Sequence, residues 1–360
     1  MKDLIYITGQ GRAGGSLIAR ILDNNQKFAS YPFEYRYHKN NIFPDFRNED
    51  KFIHFLKDIG QYKLFELFFS NRTGKKKPIN LSNEFDKKSF YENLEKTNIN
   101  SMDFVKTINF VSKCFFESHK TNFYNWDKVK YIAWHASKPI QEDIDYLLKK
   151  SEGKLKIIHI IRSPFDQISS SLKKNRNHYK KIFFDTARKF FTPSIADNFY
   201  LKYYNKKSIT LEPEYASYFW LHSVYHGSYY SQKYPKNYFL VRYEDIVSDI
   251  DQFSIFLQDK LNLEEPLISS VPSYIGKDWK SNSSFDLNKN INKNSIGIFE
   301  KYLSEEEIQL INDITSPALC EMGYVDKKPF FSNKKNLEIS LSKYIKCMSS
   351  LQYSLRKYKK

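Results

Sequence analysis

Cysteine is scarce in this chain. Cys114, Cys320 and Cys347 are far apart and odd in number. That pattern argues against a disulfide framework and against a zinc site of paired cysteines. It fits reduced thiols in a cytoplasmic protein. Long apolar runs are missing too: no stretch approaches the ~18–20 residues of a membrane-spanning helix. The first apolar run is only about five residues long before the glycines begin, so no secretory leader is expected. Acidic residues are outnumbered, 41 against 57 lysines and arginines. The formal charge of +16 favours anionic ligands. The lysines are widely spread, however, and no helix-turn-helix, zinc-finger or RNA-binding pattern accompanies them. Nucleic acid is therefore not an expected partner. What is plentiful is apolar and aromatic character, 41% and 17% of 360 residues. That is enough for one large α/β core rich in Phe and Tyr.

Glycine is sparse, at eleven residues, but Gly9, Gly11, Gly14 and Gly15 fall almost together. They lie in Leu4-Ile5-Tyr6-Ile7-Thr8-Gly9-Gln10-Gly11-Arg12-Ala13-Gly14-Gly15-Ser16-Leu17-Ile18, which reads as strand, turn, helix. Such a turn lets backbone N–H groups close around an anion, and the helix N-terminus adds partial positive charge. The spacing from Gly9 to Gly14 to Ser16 is that of a Walker A loop, but Gly15 stands where the nucleotide-binding lysine belongs. Arg12 is the only cation inside the turn. The loop suits phosphate or sulfate, though not ATP or GTP in the usual manner. The plain alternative is glycines that serve only tight strand–helix packing.

Further strands are expected at 129–134, 155–161 and 238–241, with an extended segment over 28–36 in which Pro32 disfavours helix at Tyr31. Helices are expected over 16–25, 50–70, 84–96, 101–119, 141–150, 215–230 and 248–259, one opening at Ser163-Pro164, and one at the capping box Ser304…Glu307. Segment 264–298 reads as loop. The alternation predicts a three-layer α/β sandwich around a central parallel sheet. One domain, 1–327, would carry helical insertions at about 36–125 and 173–235. A basic amphipathic helical tail, 328–360, would follow. Its stripe of Leu337, Leu341, Tyr344, Met348, Leu351 and Leu355 suits core packing first, with a dimer seam or membrane contact as alternatives.

In such sheets ligands sit beyond the carboxyl ends of the strands. The unusual residues fall there: the glycine loop, Ser137-Lys138-Pro139, Arg162 and Arg242. Arg162 at a strand end suits a bidentate grip on phosphate, and Ser170 on the next helix suits the same anion. The alternative is an arginine paired to a carboxylate, with serines making ordinary helix contacts.

On these residues the sequence resembles the sulfotransferases that use 3′-phosphoadenosine 5′-phosphosulfate (PAPS). It is closest in pattern to the types acting on carbohydrates and on protein tyrosine. The family's phosphosulfate loop, Arg/Lys-Ser-Gly-Thr-Ser/Thr, stands here as Arg12-Ala13-Gly14-Gly15-Ser16. Its 3′-phosphate motif, Arg-x-Pro with a later serine, stands as Arg162, Pro164 and Ser170. Val241-Arg242-Tyr243-Glu244-Asp245-Ile246, Ser283-Ser284, the run from Gly297 to Ser304, and Glu321-Met322-Gly323-Tyr324 resemble later family segments. The resemblance implies a P-loop-like sulfotransferase fold with PAPS as donor, adenosine 3′,5′-bisphosphate as product and no metal. It implies donor contacts from Gly11, Arg12, Ala13, Gly14, Gly15, Ser16, Leu17, Arg162, Ser170 and Ser284. Arg12 and Lys138 would neutralise the transferred group. Glu34 would be the general base for a hydroxylated acceptor, a glycan or other metabolite, with His135 as second choice. His159, inside a strand, reads as core.

The departures are Ala13 and Gly15 in place of hydroxyl-bearing residues, and Lys138 shifted by one position. They keep open a non-catalytic anion- or glycan-binding protein on the same scaffold. A P-loop kinase is the remoter alternative, since the Walker lysine is missing and the third strand ends in Arg162.

Overall fold

The computed structural model describes residues 1–34, 84–96, 102–120, 123–135, 144–172, 211–264, 271–279, 291 and 293–324. Five strands form the central sheet: β1 (Asp3–Gly9), β2 (Phe28–Glu34), β3 (Tyr131–His135), β4 (Leu155–Ile161) and β5 (Tyr238–Arg242). Their order is β2-β3-β1-β4-β5, and every neighbouring pair is parallel. The expected α/β class with a central parallel sheet is the observed one. Within the segment expected to be extended, β2 (Phe28–Glu34) is an edge strand of the described sheet. Pro32 lacks the N–H that an inner strand would need, and the β2–β3 register shifts between Ser30 and Glu34. After that shift Glu34 stands opposite His135.

Alternate residues of β1 face opposite layers, as the two-residue period of a strand dictates. Leu4 and Tyr6 join one apolar cluster and Ile5 and Ile7 another. The first face is covered by α2 (Lys87–Glu95), α3 (Phe104–Glu117) and α4 (Ile144–Lys150), through Phe90, Phe115, Phe116 and Leu147. The second is covered by α1 (Gly15–Asp23), through Leu17, Ile18, Ile21 and Leu22. Helix α5, described over 164–172, follows β4. Helix α6 (Leu211–Lys233) packs Trp220, Leu221 and Val224 on Ile161 and Leu240. After β5 come α7 (Tyr243–Ser248) and α8 (Ile250–Leu261), the latter adding Phe253 and Leu257 to the α1 side.

The span 264–298, expected as loop, holds among its described residues a two-stranded hairpin of β6 (Ser273–Tyr274) and β7 (Lys277–Asp278) and a 3-10 turn, Lys293–Ser295, with a second, Ile298–Lys301, beginning at its end. Its turn has Ile275 and Gly276 both at positive φ, 54° and 67°. A β-branched residue there hides the hairpin signal, which glycine or asparagine would normally give. Asp23 at the end of α1 anchors the hairpin. It accepts hydrogen bonds from Tyr124 Oη (2.9 Å), Ser273 Oγ (2.6 Å) and the Gly276 N–H (3.3 Å). The chain's described part closes with α9 (Glu305–Glu321), opened by the expected capping box of Ser304 and Glu307.

His159 is core, as expected. Its Nδ1 pairs with Tyr238 Oη at 2.6 Å and its Nε2 with Ser223 Oγ at 2.9 Å. The ring of His226 lies 6.3 Å from that of His159 and 6.1 Å from that of His222. Burial pushes His222 down to about 4 and His159 well below the usual histidine range. No described helix is long and apolar enough to cross a membrane. The tail with its heptad stripe, Cys347, and the expected helix at 50–70 lie outside the described residues.

Candidate functional site

The glycine loop leaves β1 at the carboxyl edge of the sheet, between β3 and β4. Gly9 ends the strand at φ +147°, and a Cβ there would lie 2.4 Å from the Ile160 carbonyl oxygen. No side chain fits so close to the neighbouring backbone. Gly14 caps α1 at φ +112°, and its Cβ would lie 2.5 Å from the ring of Tyr243. Between them Arg12 holds a left-handed backbone, φ +74°, unusual for a side-chain-bearing residue and costing about 1–2 kcal/mol.

What holds this loop comes from the β4–α5 connection and the first turn of α5. Gln167 Nε2 donates to the Gly11 carbonyl at 3.0 Å. Arg162 Nη1 donates to the Arg12 carbonyl at 3.3 Å. The Ala13 N–H is used inside the turn, on Gln10 O at 3.1 Å. The α1 N-terminus has no side-chain cap, because glycine occupies the cap position. The first-turn N–H groups of a helix have no partner within it, so Gly15 and Ser16 supply the donors an anion would meet.

Arg12 Nε donates to Ser170 Oγ at 3.1 Å, so two positions far apart in sequence meet side chain to side chain. The neighbouring serines make ordinary helix contacts: Ser169 bonds the Asp166 carbonyl and Ser171 the Gln167 carbonyl. Arg162 is 6% exposed and is not paired directly to a carboxylate among the described residues. Its guanidinium lies 4.6 Å over the Tyr243 ring. Its Nη2 donates to the Ser295 carbonyl at 2.6 Å. Its Nε is buried and has no hydrogen-bond partner among the described residues.

Two carboxylates flank this arginine without contacting it. Asp166 accepts from the N–H groups of Gly297 and Phe299. Glu244 accepts from the Ser163 N–H at 2.8 Å and from Tyr324 Oη at 3.2 Å. Burial raises both carboxyls, against the pull of those N–H bonds and of Arg162.

His135 ends β3 with its Nε2 3.3 Å from Ser16 Oγ. It therefore stands at the first turn of α1, on the loop's side of the edge. The backbone of Glu34 ends β2 beside it. Leu17 and Ala13 are buried in the α1 layer, while Gly11 sits where a Cβ would meet nothing within 4 Å. The Glu34 side chain, Ser137, Lys138, Pro139 and Ser284 lie outside what is described.

Arg242 stands at the carboxyl end of β5, where the sequence places it. Although at a strand end, it is committed to structure: a bidentate pair with Asp245 (2.9 and 2.6 Å) and bonds to the carbonyls of Met322 and Gly323. It ties β5 to the end of α9. The sequence gives no individual role to Tyr243 or Gln167, whereas Ser295, with Lys289, Lys293 and Asn294, is the nearest counterpart of the C-terminal cofactor-loop cluster in the family that the sequence resembles. The signals for Tyr243 are its place one residue past a strand end and its position in the Val241–Ile246 segment.

The sequence matches no protein-family model and no curated protein. Among solved structures, the chain is similar to a sulfotransferase domain from the curacin biosynthetic pathway, at a TM-score of 0.41 and 13% identity, over 88% of this chain and 98% of that one. A likeness at that level leaves the chemistry of this chain to be argued from its own residues.

Proposed function

We propose that this protein transfers a sulfuryl group from PAPS to a hydroxyl acceptor, a carbohydrate or other hydroxylated metabolite. One observation carries the reading: the glycine loop, Arg162 and Ser170, which the motif resemblance assigns to one donor nucleotide, meet through Arg12 at 3.1 and 3.3 Å. The residues fit such a group. Arg162 keeps a buried Nε–H without a partner among the described residues, and the α1 N-terminus is uncapped. The loop N–H groups and Arg12 would hold the 5′ side, and Arg162 with Ser170 the 3′ side. Because Arg12 Nε already reaches Ser170, Arg12 links the two grips instead of serving the transferred group alone.

PAPS, when bound, supplies an activated sulfuryl group on a phosphate leaving group. The chain's own part is positioning and charge neutralisation. His135, beside Ser16, is suited to donating a hydrogen bond towards the loop's anion. Glu34, at the end of the adjacent strand, would take the acceptor's proton, and Lys138 would add positive charge. This gives the two former base candidates different tasks.

Thermal unfolding with adenosine 3′,5′-bisphosphate, ATP and GTP tests the reading. The bisphosphate should stabilise by about 2.7 kcal/mol at a hundredfold excess over Kd. Stabilisation by ATP alone would overturn it. A second reading, a binding protein without turnover, is favoured by Gly15: a Cβ there would meet only ordinary contacts at 3.9 Å, so space does not explain the missing hydroxyl. Glu34→Gln separates the two. A transferase loses turnover about 10²–10⁴-fold and keeps nucleotide binding.

A further inference from the structure

We propose that Asp166 is a positioning residue for the anion site: its carboxylate straps the segment 295–299 against Arg162 and Tyr243, and through them fixes the donors that a bound phosphate or sulfate meets. The inference rests on the anion-binding part of the reading above and adds a residue that the motifs did not single out.

Asp166 lies in the first turn of α5 and is 1% exposed. Its Oδ2 accepts the Gly297 N–H at 2.8 Å and its Oδ1 the Phe299 N–H at 3.3 Å. Gly297 sits at φ +74°, opening the 3-10 turn Ile298–Lys301. Next to Asp166, the Phe165 ring stacks on Phe299 at 5.0 Å. One end of the strap is thus pinned by a carboxylate and a ring.

Two residues earlier, the strap reaches the anion site. The Ser295 carbonyl takes Arg162 Nη2–H, and Ser295 Oγ pairs with Tyr243 Oη at 2.9 Å. The guanidinium is then held from three sides, by the Ser295 carbonyl, the Arg12 carbonyl and the Tyr243 ring. Of its five N–H donors two are used in these carbonyl bonds. Among the described residues the buried Nε–H has no partner, which leaves a charged donor for an oxyanion. Without the strap, the Ser295 carbonyl withdraws and Arg162 regains rotamer freedom, which anion binding must then remove.

The dependence is mutual. Burial raises the Asp166 carboxyl, and the N–H groups of the strap, with Arg162, oppose that rise. A carboxylate in so dry a place needs those donors. Asp166 and the strap therefore order each other.

The test is amide hydrogen exchange on wild type, Asp166→Ala and Asp166→Asn, with sodium sulfate or sodium chloride at equal ionic strength. In wild type, residues 295–301 are protected, and sulfate slows exchange further there and in the loop. Asp166→Ala loses both effects, with exchange in the segment about tenfold faster or more, while β1 and β4 stay as protected as before. Asp166→Asn, which keeps one acceptor oxygen, restores part of each and carries the test if the alanine variant fails to fold. Unchanged protection of 295–301 in the variants overturns the proposal. So does undiminished sulfate protection of the loop in Asp166→Ala, or no sulfate effect in wild type. If sulfate protects the wild type and adenosine 3′,5′-bisphosphate does not, the PAPS reading falls and the strap stands.

Discussion

The buried histidines of α6 and β4 make stability sensitive to acid in a calculable way. His222 is held neutral by burial, with its folded value brought from the ordinary 6.5 to about 4. Above pH 6.5 neither the folded nor the unfolded chain protonates it, and it contributes no slope. Below 6.5 the unfolded chain takes up a proton that the folded chain refuses. The folded state therefore loses stability steadily until about pH 4, at up to about 1.4 kcal/mol per pH unit. Over that window His222 alone removes about 3 kcal/mol. His159, shifted further in the same direction, adds a slope of the same sign. Asp166 and Glu244, raised by burial, act oppositely in acid, because the folded state binds their protons more readily than the unfolded chain does. A wild-type profile alone would mix these effects, so the comparison is with His222→Gln, which is neutral at every pH. Urea unfolding at pH 7.5, 6, 5 and 4.5 should show the variant gaining on wild type by about 2–3 kcal/mol between the ends of the series. Parallel profiles for the two proteins would refute the assignment of His222 as a buried neutral histidine.

Three further outcomes are expected. Gly14→Ala forces a Cβ against the Tyr243 ring at a backbone angle that alanine resists; the melting temperature should fall and nucleotide stabilisation should vanish, whereas normal binding would contradict the loop geometry. Arg162→Lys keeps the charge but cannot hold both carbonyls and present the buried Nε–H donor. Calorimetry should show bisphosphate affinity down about 10–100-fold with the fold intact. Asp23→Ala leaves Tyr124 Oη, Ser273 Oγ and the Gly276 N–H without their shared acceptor. Chemical denaturation should register a loss of about 2–4 kcal/mol, and exchange should be faster in the hairpin.

Much of the sheet was legible because parallel strands buried on both faces read as continuous apolar runs, as Leu155–Ile161 does. The loop was legible because glycines leave a local mark. Arg162 and Ser170 could be tied to it by the strand-end rule for parallel sheets and by the family motif, though nothing in their own stretch says that a residue near position 12 will meet them. The strap was legible only in outline: the run from Gly297 to Ser304 resembles a family segment, but its contacts leave no mark in it. Ser295 and Tyr243 are bound by a contact between distant segments, and the surrounding Asn, Lys and Ser residues look like ordinary loop. Arg242 shows the limit of strand-end position as a guide. A strand-end arginine looks the same in sequence whether it faces a ligand or, as here, Asp245 and two carbonyls.

The central place of β1 has a consequence for how the chain reaches this state. The strand is synthesised first, yet its neighbours begin at Tyr131 and Leu155. Until those residues have left the ribosome, an apolar strand and a glycine loop wait with both edges unpaired. Closing loops of that length before any sheet contact forms makes folding slow and leaves the interval open to aggregation. The loop's carbonyls are without their partners until Arg162 and Gln167 have been made.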